Sequence, residues 1–411
     1  MRAINEVGRI LISSLVAICV FLVPCTVNAT FSIVAVDPET GAVGGAGASC
    51  IAGSKMINDL IEGVGGVHTQ AYYLVANQNN AHALLAAGLT PDSIISWLVN
   101  NDVQGMSFYR QYGVVTLAGP GSSAGFTGAA TDYYKGHKIG PGYAIQGNIL
   151  LGAEILDNME TAFLSTAGPL EDKLMAALEA ANVPGADTRC TGCAKPAISA
   201  FIRVLHIGDG GNPFLWEYVD NTVCAANPID TLLVQYNAWK ALHYADASLS
   251  TVIADPSHLP ALGIDSSVIV VTPRNLNGDL IAPGAEISIS HTGHGQLSAV
   301  TDHGDGTYSA HVKAATSWEL DTISVTVTAY GLPVALEARP IIHYFLCGDA
   351  DGSGALNILD VSRIISYLYK NGAAPVPPEA GDADGSGSTN ILDVSRLIGY
   401  LYKNGSAPIC P

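Results

Sequence analysis

Positive charge is scarce in this chain. Its 411 residues include 18 Lys plus Arg against 36 Asp plus Glu, a formal net charge of −18. A surface of that sign repels polyanions, so nucleic acid is excluded as a partner. Charge of either sign is sparse at 13% of residues, while 48% are hydrophobic and 44 are Gly. That balance belongs to a compact globular protein, not a disordered one, and the length allows two to four domains. Aromatics make up only 7%, too few in surface-like positions for a sugar platform. No pair of carboxylates is placed for glycoside hydrolysis. Cys190-Thr191-Gly192-Cys193 stands without a second CxxC or a nearby His pair. A four-ligand zinc site is therefore not built there, and structural bridging is expected. After residue 23 no apolar run is long enough to span a membrane.

The N-terminus carries a shorter apolar run. Arg2 and Arg9 precede an apolar stretch from Ile10 to Val23, followed by Val27-Asn28-Ala29. This is the pattern of a secretory signal peptide over 1–29, with cleavage after Ala29. The run is short for a retained anchor, and Pro24 before Cys25 is a poor lipoprotein match. The expectation is an exported protein (secreted, surface-held or periplasmic) with no membrane attachment after cleavage. Six cysteines remain beyond that point: Cys50, Cys190, Cys193, Cys224, Cys347 and Cys410. An even number in an exported chain implies disulfides. The pairing among the first four stays open.

The C-terminal end repeats itself. Residues 348–375 and 381–408 match at 23 of 28 positions with an offset of 33. In the first copy Asp349, Asp351, Ser353, Asn357 and Asp360 fall at positions 1, 3, 5, 9 and 12. Gly354 stands at position 6 and the carbonyl of Ala355 at 7. The second copy has Asp382, Asp384, Ser386, Gly387, Ser388, Asn390 and Asp393 in the same places. Alternating oxygen donors, a glycine for the sharp turn and a carboxylate at 12 make a calcium loop. Two Ca2+ ions are expected. Each loop runs into residues at helical spacing: Val361, Ile364, Ile365, Leu368, and Val394, Leu397, Ile398, Leu401. Each helix should stop at Asn-Gly with Pro beyond.

Loop then helix, twice over about 65 residues, resembles a type I dockerin. That resemblance implies a cohesin-type partner, bound in a calcium-dependent way. Dockerins often carry polar pairs at loop positions 10 and 11, where the partner is read. Here those positions hold Ile358-Leu359 and Ile391-Leu392, so the docking face is more apolar than usual. The termini of a dockerin lie near each other, which implies a Cys347–Cys410 bridge.

Between the two ends the pattern changes once. Strands are expected over 31–36 and 42–49, helices over 81–87 and 91–99 with Thr90 as N-cap, and a hairpin over 112–129. Helices follow over 151–167 and 169–181, then a strand over 198–207. Residues 245–264 lose periodicity and are read as a linker. From Ser266 to Tyr344 alternation dominates, as in Glu286-Ile287-Ser288-Ile289-Ser290, with His303-Gly304-Asp305-Gly306 as a turn. Several short alternating strands in about 80 residues indicate a β-sandwich. It resembles filamin- or invasin-type immunoglobulin-like modules and is read as a spacer.

Chemistry has few places to sit. Gly121-Ser122-Ser123-Ala124-Gly125 fits G-x-S-x-G but lies between two strands, so it is read as a hairpin turn. Signal cleavage makes Thr30 the first residue. An N-terminal Thr carries its own general base, because its α-amine titrates near pH 8 beside its hydroxyl. Residues 30–49, His68-Thr69-Gln70-Ala71, Phe126-Thr127-Gly128-Ala129 and 140–148 (GPGYAIQGN) resemble the DUF1028 family over roughly 30–240. That resemblance implies an N-terminal-nucleophile (Ntn) hydrolase-like fold without an established activity. The family commonly has Lys where this chain has Cys50, with Lys55 near in sequence. Gln146 and Asn148 are candidates for steadying an oxyanion, or belong to a turn that packs two sheets. Asp187 and Arg189 read as a salt bridge at a pocket rim, and His68 as structural.

The fold expected is multidomain: an α+β αββα Ntn-hydrolase-like sandwich (30–244), a linker (245–264), an all-β immunoglobulin-like sandwich (265–345) and a small α-helical calcium-binding dockerin (346–411). The function expected is an exported amidohydrolase with Thr30, Gln146 and Asn148 as catalytic residues. The alternative is a non-catalytic binding or scaffold subunit of a surface assembly, or an accessory protein in polysaccharide breakdown.

Overall fold

A computed structural model describes residues 30–118, 121–131, 133–281 and 283–410. The leader expected over 1–29 lies outside them. The chain opens with strands β1 (Thr30–Asp37), β2 (Ala42–Ser49), β3 (Asn58–Ile61) and β4 (Gly65–Ala71). Helices α1 (Val75–Ala86) and α2 (Pro91–Asn100) follow. Then come β5 (Arg110–Thr116), β6 (Ser122–Thr127), β7 (Tyr134–Gly140) and β8 (Tyr143–Leu150). Helices α3 (Glu154–Ser165) and α4 (Leu170–Ala180), strands β9 (Ser199–Leu205) and β10 (Leu215–Val219), and helix α5 (Pro228–His243) complete this unit.

Two antiparallel sheets result, in the orders β10-β9-β2-β1-β8-β7 and β3-β4-β5-β6. Strand alternation decides what each face meets. Phe31, Ile33 and Ala35 pack under α3, α4 and α5 with Met159, Leu174 and Leu232. Val67, Tyr112 and Val114 pack under α1 and α2 with Leu85, Ile94 and Leu98. Between the sheets lie Val34, Val36, Val43, Leu60, Val115 and Ala144. The expected hairpin over 112–129 is β5–β6, which holds Ser122 and Ser123 on a strand. Thr90 caps α2 by accepting from the Ser93 amide at 3.4 Å. Residues 143–148, read as a turn or an oxyanion site, instead form a strand buried on both faces. Such a strand need not alternate in sequence, so its period gives no warning.

The second unit is a sandwich of ten strands. They are β11 (Thr251–Asp255), β12 (His258–Pro260), β13 (Ser266–Thr272), β14 (Glu286–His291) and β15 (Gln296–Leu297), then β16 (Thr301–Asp302), β17 (Tyr308–Lys313), β18 (Glu319–Ala329), β19 (Leu332–Ala335) and β20 (Ile341–Phe345). The linker reading of 245–264 is corrected here, because β11 pairs with β13 and β12 with β20. Val252, Ala254 and Leu259 are buried in the joint core. Strands this short show too few alternations to register as periodic. Tyr330, at the β18–β19 turn, packs its ring 4.2 Å from Phe214 and 5.3 Å from His206. The sandwich therefore sits against the first unit rather than at the end of a tether.

The third unit pairs α6 (Ile358–Tyr369) with α7 (Ile391–Lys403). Val361, Ile364, Val394 and Leu397 meet Ala350 and Ala383 of the two loops in a small core. Asn404 ends α7 in the left-handed region at φ 55°, as the Asn-Gly signal implies. Cys347 and Cys410 are joined, as the resemblance implied. The open pairings are Cys50–Cys190 and Cys193–Cys224. The CxxC cysteines thus go to different partners.

Candidate functional site

One end of the layer between the first two sheets is polar. β1 lays Thr30 opposite Asn148 and Ser32 opposite Gln146 of β8. β4 brings His68 and Gln70 from the facing sheet, and β5 brings Gln111. All seven side chains are buried. Room for them comes from glycine. A Cβ on Gly45 would stand 2.4 Å from His68 Nε2, and one on Gly113 would stand 2.0 Å from Gln146 Oε1.

Hydrogen bonds join the layer into a network. Ser32 Oγ donates to Gln70 Oε1 (2.6 Å) and accepts from Gln146 Nε2 (2.6 Å). Gln70 Nε2 donates to the Thr30 carbonyl (3.1 Å) and to Gln111 Oε1 (2.7 Å). Asn148 Nδ2 donates to the same Gln111 oxygen at 3.0 Å. His68 lies between Ser32 Oγ and Asn58 Oδ1, 2.9 Å from each. Burial holds its pKa down at about 3, so it is a neutral structural imidazole at ordinary pH. Asn58 Oδ1 accepts only if Nε2 carries the proton; Nδ1 then accepts from Gln146 Nε2, because the single Ser32 proton goes to Gln70.

The two expected oxyanion donors are not equivalent. Gln146 Nε2 faces Ser32 Oγ, the Ser32 carbonyl (3.4 Å) and His68 Nδ1 (3.4 Å). Both its hydrogens are engaged. Asn148 Nδ2 uses one of its two hydrogens on Gln111. Gln146 Oε1 and Asn148 Oδ1 have no hydrogen-bond partner among the described residues. A buried acceptor in that state costs about 1–3 kcal/mol.

Thr30 Oγ1 donates to Ser49 Oγ at 3.2 Å. Behind Ser49 stands Arg189, whose Nη2 lies 3.4 Å from Ser49 Oγ and 2.8 Å from Asp187 Oδ2. Asp187 is fully buried and also accepts from the Cys50 amide at 2.7 Å. The pair expected at a pocket rim thus reaches Thr30 through a single serine. Lys55 does not replace the absent lysine. It pairs with Asp220 at 3.0 Å and lies over the Tyr218 ring. Sequence reasoning missed Ser32, Ser49, Gln70 and Gln111. The available signal was polar residues at every second position of strands that otherwise read as buried.

The second site is the pair of C-terminal loops. Asp349, Asp351 and Asp360 bring carboxylate oxygens within 4.8 Å of one another, as do Asp382, Asp384 and Asp393. The glycines at loop positions 4 and 6 take positive φ: Gly352 at 72° and Gly354 at 78°, Gly385 at 75° and Gly387 at 86°. Asp349 accepts from the Ser353 and Gly354 amides, which fixes its side of the loop. Burial, with the Asp351 and Asp349 charges adding to it, pushes Asp360 up to about 6. Uncompensated carboxylates this close fit a divalent cation. Ser353 and Ser386 approach the carbonyls of Ala355 and Ser388 at 3.3 Å, so those oxygens face the same space. Asn357 and Asn390 differ. Their Oδ1 atoms accept from the Leu359 and Leu392 amides at 2.8 Å, and Asp360 and Asp393 accept back from the Asn amides in capping boxes. Position 9 thus starts the helix, and in such loops its oxygen often reaches the cation through water.

Three family models match the chain. Residues 30–232 match a family of unknown function, DUF1028. Residues 246–339 match invasin domain 3, and residues 347–402 match the type I dockerin domain. Among solved structures, a Silicibacter pomeroyi protein of the DUF1028 family model is 27% identical, covering 51% of this chain and 88% of its own, with a TM-score of 0.43. The Yersinia pseudotuberculosis adhesin InvE is 28% identical over 23% of this chain and 27% of its own, at a TM-score of 0.20. InvD from the same organism is 29% identical over 26% and 29%, at 0.22. The chain spans less than a third of either Yersinia protein. No curated protein matches it. Type I dockerins bind calcium, and the two acidic clusters fit calcium-binding sites. One polypeptide therefore joins a DUF1028 domain, an invasin-type immunoglobulin-like domain and a type I calcium-binding dockerin.

Proposed function

We propose that the DUF1028 domain is an amide hydrolase with Thr30 as an N-terminal nucleophile, exported and held in a surface assembly by its dockerin. The observation that carries this is the position of Thr30. It opens β1 at the polar end of the inter-sheet layer, with Ser49 at its hydroxyl and Asn148 across the ladder. Two stacked antiparallel sheets between helices, with the nucleophile at the start of a central strand, suit an Ntn-type fold.

Removal of residues 1–29 frees the Thr30 amine. The amine takes the Oγ1 proton as Oγ1 attacks the substrate carbonyl. The second Nδ2 hydrogen of Asn148 steadies the oxyanion. The ammonium returns the proton to the leaving amine, and water then hydrolyses the ester left on Thr30. Arg189, held by Asp187 and 3.4 Å from Ser49 Oγ, fixes the hydroxyl to which Thr30 is bonded. Gln146, bound to Ser32, holds the strand behind the site in place.

The dockerin's partner is a cohesin-type domain. Ile358, Leu359, Ile391 and Leu392 are all exposed, 46–59% of each residue's surface, so the partner face is apolar at those positions. A scaffold role is the competing reading, favoured by burial. Thr30 is 1% exposed and Asn148 0%, so substrate must enter from the free end of β1. N-terminal sequencing of the secreted protein, followed by a screen of amide, peptide and acyl-amino-acid substrates, separates the two. A start at any residue other than Thr30, or no turnover across the screen, moves the assignment to scaffold.

A further inference from the structure

The two calcium loops are almost identical in sequence but stand in different surroundings. Trp318, the residue before β18, lies over loop 1. A Cβ on Gly354 would stand 3.2–3.4 Å from the indole Cδ2, Cε3 and Cγ. A Cβ on Gly387, the equivalent residue of loop 2, would meet nothing within 4 Å. Both glycines have positive φ, 78° and 86°, so the backbones match and only the roof differs. The Trp318 ring is held in turn by His343 of β20, edge to face at 6.1 Å. His258 of β12 comes within 3.9 Å of Glu379, just before loop 2, a second contact between the units. The docking residues are untouched by this asymmetry. Ile358 and Leu359 are 46% and 58% exposed, Ile391 and Leu392 47% and 59%.

We infer that Trp318 makes loop 1 an interdomain calcium switch. Calcium in loop 1 sets the apex at Gly354 against the indole and locks the dockerin to the sandwich, while the apex of loop 2 at Gly387 meets no such roof. The physical reason is mutual repulsion. Three carboxylates within 4.8 Å push the loop open until a cation draws them in. The flat contact between Gly354 and the ring exists only in the drawn-in loop. Coupling is reciprocal, so the roof also tightens calcium in loop 1.

The test is calcium titration of the full-length protein, read by tryptophan fluorescence and by calorimetry. Emission should change with one of two binding events. It should still change when loop 2 is disabled (D382N/D384N), and not in W318F or when loop 1 is disabled (D349N/D351N). Gly354→Ala and Gly387→Ala keep every ligand and share the φ strain. Gly354→Ala should weaken one calcium site at least roughly fivefold more than Gly387→Ala weakens the other. Circular dichroism in calcium checks that each variant keeps its helices. An emission change that survives W318F, one that follows loop 2, no change while two ions bind, or equal losses in the two alanine variants would overturn the inference.

Discussion

The calcium loops and the polar end of the inter-sheet layer both bury charged or polar groups, yet they are assembled over different distances. Asp349 and Asp360 are eleven residues apart in one continuous loop. Ser32 meets Gln70 across 38 residues and Gln146 across 114, while Thr30 is joined to Arg189 through Ser49. A site built from one loop needs only its own turn geometry and an ion. A site built from four strands needs every register right, since a one-residue slip turns Ser32 or Gln146 to the helical face. The loop should therefore tolerate removal from its context, and the layer should tolerate almost nothing.

Substitution at Thr30 tests the layer hardest. Thr30→Ala should cost activity by orders of magnitude while the domain folds, because Ala fits the first position of a strand. Thr30→Ser should retain part of it, as the hydroxyl survives. Rates on any true amide substrate check this, and equal rates for wild type and Thr30→Ala would end the nucleophile assignment.

Chelation tests the loops. Residues 347–411 alone should lose most helical circular dichroism in chelator and regain it with calcium, since so short a segment buries little core. An unchanged spectrum would show that the module does not depend on its ion. The Cys347–Cys410 bridge closes the same module, and replacing both cysteines with Ser should cost about 4 kcal/mol by chain entropy. Urea unfolding of the calcium-loaded module measures it.

The effect of His68 is spread over several pH units and returns to the layer. Its folded pKa is about 3 against an ordinary 6.5. Below pH 6.5 the unfolded chain takes a proton that the folded one refuses. His68 therefore subtracts up to about 1.4 kcal/mol of stability for each pH unit between 6.5 and 3. His68→Gln should remove that slope relative to wild type, while costing stability at neutral pH through the bond lost to Asn58. Parallel melting curves at several pH values would refute the burial argument.

Much of the fold was legible where signals are local. Thr90 before Pro91 announced the start of α2, and strict alternation over 322–328 announced β18. Strand β8 was not legible as a strand, because both its faces are covered and Gly147 interrupts its apolar run. Helix α5 does carry local signals, with Asn227 as its cap and Ile229, Leu232 and Tyr236 on its buried face, but the expected elements do not include it. The sandwich strands inside 245–264 show no periodicity in sequence because each is at most five residues long.

The sequence by itself determined both calcium loops, the helices they start and the turns that end them. Ligand spacing, capping residues and Asn-Gly stops act over a dozen residues, within reach of the chain's own local geometry. With residues 1–29 removed, as proposed, Thr30 would also carry a hydroxyl and an amine that need no fold to meet. Tertiary structure decided the rest: that Arg189 reaches Ser49, that Asn148 and not Gln146 faces Thr30, and that Trp318 covers one of two equal loops. Each of these depends on strand register and on how sheets and domains stack. Partners brought together by chain folding over many tens of residues leave no spacing in the sequence to mark them.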